Sequence, residues 1–249
     1  MKPLLFIALI FAAFGHAFGN FTELVEQGDA YDVKYQPDAA LQYYLPAEQL
    51  DPNNAALLVK IARQYVFRMN DLPSKEQKLA SGRTALAYAE RAVKAAPKEC
   101  DPHLSVAICW GKLTPFMGNR ENVEASSKIK MAAETAVKLN PRNDYAWHLL
   151  GRWHQELADI GGVTRALAYV AYGGLPAASN DAAIRCFEKA IALRPDRLIH
   201  HIELGRTCAA MGRKDEALKH LQRGLAMPNT EKDDPETKLR GKAALKKLD

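Results

Sequence analysis

Few residues in this sequence have the types and spacing that chemistry requires. Cys100 and His103 lie three apart, but two further ligands nearby are missing for a metal ion. His148 and His154 are six apart and share a helix face poorly. His200 and His201 are adjacent, so on a helix they point in different directions. No G-x-S-x-G, H-E-x-x-H or Walker loop occurs. Cys100, Cys109, Cys186 and Cys208 contain no CxxC pair, which argues against a zinc ribbon or a thioredoxin-type site. They read as free buried thiols, which behave as small hydrophobes. The expectation is a protein with no catalytic residue, no metal and no cofactor.

The chemistry that remains is recognition. Arginine pairs in bidentate fashion with carboxylate or phosphate, and Arg63, Arg152 and Arg206 matter if the fold aligns them. An internal repeat does so. Pro52, Pro97, Pro141 and Pro195 each follow an apolar, alanine-rich stretch. A proline there cannot continue the preceding helix and opens the turn to the next. Taking each as position 32 of a two-helix unit of about 34 residues brings one pattern into register. Position 8 is small: Gly28, Ala62, Ala107, Gly151 and Gly205. Position 20 is alanine in Ala40, Ala85, Ala183 and Ala217, and position 24 is large in Tyr44, Phe187 and Leu221.

This is the tetratricopeptide (TPR) pattern, in which small residues let paired helices approach and large ones fill the space between them. Units begin near Phe21, Ala55, Cys100, Asp144 and Leu198. The expected architecture is all-α, a TPR-like superhelical solenoid of about five helix-turn-helix units over residues 20–232. Units two, three and four are longer than the standard length. In two and three the second helix is expected to start early, from Lys75 and Glu121. In four, Val163 to Tyr172 lies between two Gly-Gly pairs and reads as an inserted short helix. It must bury one face, against the repeat or against a ligand. Residues 233–249 read as a charged C-terminal capping helix, which a terminal repeat needs.

The concave wall of such a solenoid comes mainly from first-helix positions 2, 5, 9 and 12. In unit two these give Val59, Arg63 and Val66; in unit three, Leu104 and Ile108. Unit four gives Tyr145, His148, Arg152 and Gln155, and unit five gives Ile199, Ile202 and Arg206. Arginine thus occupies position 9 in three units, with largely apolar neighbours. The predicted site is an apolar groove with spaced guanidinium groups, which suits a protein or peptide segment. The alternative occupant is an anionic lipid, its headgroup held by the arginines, as in a phospholipid-transfer module. Three solvated arginines with stems packed on the wall are the plainer reading of the same positions.

The net charge of +5 is too mild for a nucleic-acid partner. Lys2, the apolar run Leu4 to Phe14 and a small-x-small site at Ala17 and Gly19 read as a signal peptide over residues 1–19, and His16 belongs to it. The chain is therefore expected to be exported, periplasmic or secreted. Membrane contact is expected only if this segment stays uncleaved as an anchor.

The stretch Trp147-His148-Leu149-Leu150-Gly151-Arg152-Trp153, followed by Tyr172-Gly173-Gly174-Leu175-Pro176 and then Ala182-Ala183 to Phe187-Glu188-Lys189-Ala190, resembles the regulator of microtubule dynamics family. The resemblance implies TPR-like helices with an inserted helix ending in a Gly-Pro turn. It also implies microtubule association, organelle tethering or phospholipid binding, as in animal members. The N-terminal signal is unlike a cytosolic microtubule protein, so the chain reads as a bacterial, envelope-exported relative that does not bind microtubules.

Overall fold

A computed structural model describes residues 20–172 and 174–248. The predicted signal peptide lies outside them. Every described element is helical. Unit one is α1 (Phe21–Asp32) and α2 (Pro37–Leu50); unit two is α3 (Ala55–Asp71) and α4 (Lys75–Ala95). Unit three is α5 (Cys100–Leu113), a 3-10 turn (Thr114–Phe116) and α6 (Asn119–Leu139). Unit four is α7 (Asp144–Ala158) and α9 (Asn180–Leu193), with α8 (Gly162–Tyr172) between them. Unit five is α10 (Leu198–Ala210) and α11 (Lys214–Ala226), followed by α12 (Asp234–Leu245).

Local chemistry sets the boundaries. Asn20, Asn54, Ser74, Asn143 and Ser179 each cap a helix, their side chains accepting from a backbone N–H of the first turn. The early start of α4 at Lys75 is held by Ser74 and Gln77, which cap each other's backbone reciprocally. At the far end of α8, Gly174 adopts φ +106°, a conformation costly for any residue with a Cβ.

The register read from the prolines is the one the helices use. Gly28 sits under the ring of Tyr44, Gly151 under Phe187 and Gly205 under Leu221, so each position 8 meets the position 24 of its own unit. Both rings are fully buried. Each such side chain contributes about 1.5–3 kcal/mol by leaving water. At the C-terminal end, Ile202 is clasped between two further glycines. A Cβ at Gly224 would lie 2.8 Å from its Cδ1, and one at Gly241 of α12 would lie 2.7 Å away. The capping helix therefore covers the inner face of unit five as well as its end.

Candidate binding site

The concave side of units two to five holds a cavity of about 1380 Å³. Met69, Ile108, Phe116, Leu149, Trp153 and Ile160 are among its apolar walls, and Asn70, Lys78, Lys112, Arg152 and Glu156 among its polar lining. Trp153 is fixed from behind, its indole N–H donating to the Ser126 carbonyl at 2.9 Å. Thr164, Ala168 and Ala171 of α8 form part of the wall, so the inserted helix faces the cavity. Asn122 also lines it, and its Oδ1 is buried with no partner among the described residues. A buried acceptor left in this state costs about 1–3 kcal/mol, which a bound N–H donor would recover.

Of the residues expected to form the groove, Ile108, Tyr145, His148, Arg152 and Ile199 line this cavity. Val59, Arg63, Val66, Leu104, Ile202 and Arg206 are not in its lining. Val66 packs inward with Ala62, Met69, Cys109 and Leu113, and Leu104 packs with Ala136 and Ala146. Ile202 lies in the cluster of Leu198, Leu221 and Met227, beneath α12. Val59 is half-buried elsewhere. Arg63 pairs with the buried Asp32 of unit one.

The arginines are not free cations, which corrects the expected electrostatics. Glu203 is fully buried, and Arg152, Arg206 and Arg240 reach it at 2.8, 2.5 and 3.1 Å. Arg152 also pairs with Glu156, and Arg240 with Glu236. Burial alone would raise the Glu203 carboxyl, but the three guanidinium groups outweigh it and hold it below the usual glutamate range. This cluster ties α7, α10 and α12 together, with as many carboxylates as guanidiniums. A phosphate or carboxylate ligand meets no uncompensated arginine there.

Nor are the histidines scattered, as their sequence spacing implies. His148 Nδ1 lies 3.0 Å from His200 Nδ1, and His200 Nε2 lies 2.8 Å from the Asp144 carboxylate. With both rings neutral, His200 donates from Nε2 to Asp144, and its Nδ1 must accept from His148. Burial is the largest influence on both rings and holds them below the usual imidazole value, His148 well below it. A depressed folded value means that stability is complete above the unfolded pKa and falls as the pH drops past it. Lowering the pH through the ordinary histidine range is therefore expected to destabilise the protein through this pair. Thermal melts check this: His148→Gln should show a smaller fall than wild type, and a melting temperature that stays flat across that range would exclude the arrangement.

The segment between α11 and α12 crosses the concave face. The Tyr35 hydroxyl donates to the Thr230 carbonyl at 2.6 Å, Lys232 pairs with Asp71 at 3.0 Å, and Asp233 accepts from Asn70 and Lys112 at 3.0 and 2.6 Å. Glu231 lies 2.8 Å from Arg197. This strap joins unit five back to units one, two and three, and Lys232 and Asp233 line the cavity.

Sequence reasoning missed Glu203, Asp144, Lys112, Arg240 and the strap. Only Glu203 left a signal, as the one carboxylate in the otherwise apolar and histidine-rich run Leu198 to Gly205. The cysteines stand free, with Cys109, Cys186 and Cys208 buried. No group of three metal-ligating side chains occurs among the described residues.

The helix pairs, the small-against-large register and the capped concave face define a TPR-like solenoid. Among solved structures, the chain resembles the thermophilic TPR protein TTC0263 of Thermus thermophilus, with a TM-score of 0.63 and 20% identity over 90% of this chain and 98% of that one. It also resembles YrrB, described as a TPR protein with an unusual peptide-binding site, with a TM-score of 0.51 and 16% identity over 92% and 99%. At these identities the likeness is one of fold. The family model for regulator of microtubule dynamics protein 1-3 matches residues 24–249, and the chain belongs to that family. Similar relatives include regulator of microtubule dynamics protein 1 of Bos taurus, 26% identical over 88% of this chain and 70% of that protein. The Mus musculus protein is also 26% identical, over 89% and 73%.

Proposed function

We propose that this chain is a non-catalytic binding protein that takes a segment of a partner protein into the concave cavity. The supporting observation is the cavity itself: apolar walls from units two to four, a polar lining, and the unpaired acceptor on Asn122. Apolar side chains of an inserted segment would fill the walls, and a peptide N–H would satisfy Asn122. Native mass spectrometry of the purified chain tests this. The expected result is a co-purified, protease-sensitive species that Ile160→Arg removes without changing the melting temperature. A chain that carries nothing and binds no peptide from a random library would refute it.

One observation favours a second reading. Residues of the strap and of α8 line the cavity together with its apolar walls, and an acyl chain would take an apolar cavity of this kind. Solvent-extractable lipid in the same spectrum, with no peptide, would select that reading.

Export belongs to the same proposal. The mature chain is expected to begin near Phe18 or Asn20, which N-terminal sequencing of the exported protein checks. Retention of Met1 and Lys2 would make the segment an anchor instead.

A further inference from the structure

The strap has the contacts of a bound peptide. Its residues meet side chains on the inner surface of units one to three across 121 to 195 positions of sequence. Asp233 is the clearest case. It occupies the N-cap position of α12, where an aspartate ordinarily accepts from its own helix, and it makes no such bond. Its carboxylate is turned to Asn70 and Lys112 instead. Burial would raise this carboxyl, but Lys112 and Asn70 outweigh it and hold it below the usual aspartate range. Asp234, by contrast, accepts from the backbone N–H groups of Thr230 and Glu231 at 2.7 and 2.8 Å, closing the strap into a self-supported turn. On the receiving side, Tyr35 adopts φ 55°, the left-handed region that a tyrosine rarely enters. The residue so held is the one that grips the Thr230 carbonyl.

We infer that the inner surface at Tyr35, Asn70 and Lys112 is a peptide-binding subsite occupied in cis by residues 230–235. The partner segment it takes in trans is an acidic turn of the same chemistry. A carboxylate pairs with Lys112 and Asn70, and a backbone carbonyl two or three residues earlier accepts from Tyr35. This rests on the reading that the concave face binds protein, and it names the kind of segment. Lys112 is the recognition element because a single ammonium supplies the charge and Asn70 supplies direction. The cis strap competes at the high effective concentration of a tethered ligand, so the closed form masks the subsite. Apparent affinity in trans is then reduced by the fraction of molecules that stand open.

The test uses the full chain and a fluorescein-labelled peptide of residues 228–236, with binding read by anisotropy. Asp233→Asn loosens the strap and leaves the subsite intact. Lys112→Met loosens the strap to the same degree but removes the subsite. The expected result is at least about a tenfold gain in affinity for the Asp233→Asn chain over wild type. Lys112→Met should show no gain, and a peptide that itself carries Asp233→Asn should bind weakly to either. Melting temperatures confirm that both chains remain folded, and Asn70→Ala serves in place of Lys112→Met if that variant unfolds. Equal gains in both chains would mean non-specific exposure of the cavity and overturn the inference. So would no gain in either, or binding of the opened chain to phosphatidylglycerol vesicles but not to peptide. The cavity proposal is separable: loss of a co-purified species in Ile160→Arg bears on it alone.

Discussion

Glu203→Gln is expected to destabilise the protein by about 3 kcal/mol or more, the usual result of removing one partner from a buried ion cluster. Glu203 is fully enclosed, and Arg152, Arg206 and Arg240 converge on it from three helices. Without its charge, three guanidinium groups crowd together with only Glu156 and Glu236 to answer them. In a chain of this size each kcal/mol moves the melting temperature by about 2–4 °C, so a fall of roughly 10 °C is anticipated. The pH dependence supplies an independent readout. The folded carboxyl titrates below its ordinary value of 4.5, so its stabilisation is whole above that value and is lost as the pH falls through the folded pKa. The glutamine variant lacks that loss, and its melting temperature should fall less between about pH 6 and pH 3. A variant that melts with the wild type at neutral pH would show that the cluster is not what joins α7, α10 and α12.

The same cluster bears on mutagenesis of the arginines. Position 9 of the repeat suggests residues that can be removed without harm to the fold, as exposed substitutions usually change stability by less than about 0.5 kcal/mol. Arg152 and Arg206 instead neutralise a buried glutamate. A loss of ligand affinity after their substitution would carry a stability effect inside it. Ile160, which lines the cavity without a charge partner, separates binding from folding more cleanly.

The second large effect concerns Gly151. Its Cβ position lies 2.8 Å from the ring of Phe187, which is itself fully buried and cannot swing away. Gly151→Leu should cost about 3 kcal/mol, the upper end of ordinary overpacking. It should act by separating α7 from α9. Gly111 provides the control, since a Cβ there meets nothing within 4 Å. Gly111→Ala is expected to raise stability by up to about 1 kcal/mol, because alanine favours the helix. Calorimetric melts showing opposite signs for the two would establish that the register, and not glycine content, is at work. A Gly151→Leu protein as stable as wild type would mean that position 8 does not pack against position 24.

The features legible along the chain are those that depend on near neighbours. Prolines end helices, small and large residues alternate at fixed positions within about 34 residues, and each unit contacts mainly the next. Those rules placed Gly28 against Tyr44 and Gly151 against Phe187, and they marked out α8 by its flanking glycines. They also brought Ile108, Tyr145, His148, Arg152 and Ile199 to the cavity. The remaining features arise from contacts between distant parts of the chain. α12 folds back under unit five and buries Ile202, Arg206 pairs with the buried Glu203 carboxylate, and the strap returns to Tyr35, Asn70 and Lys112. No periodicity records such pairings. Whether a lysine and an aspartate 121 positions apart meet is set by the superhelical path of all the units between them. That path is the accumulated small rotation of every helix pair, a quantity that no single unit contains.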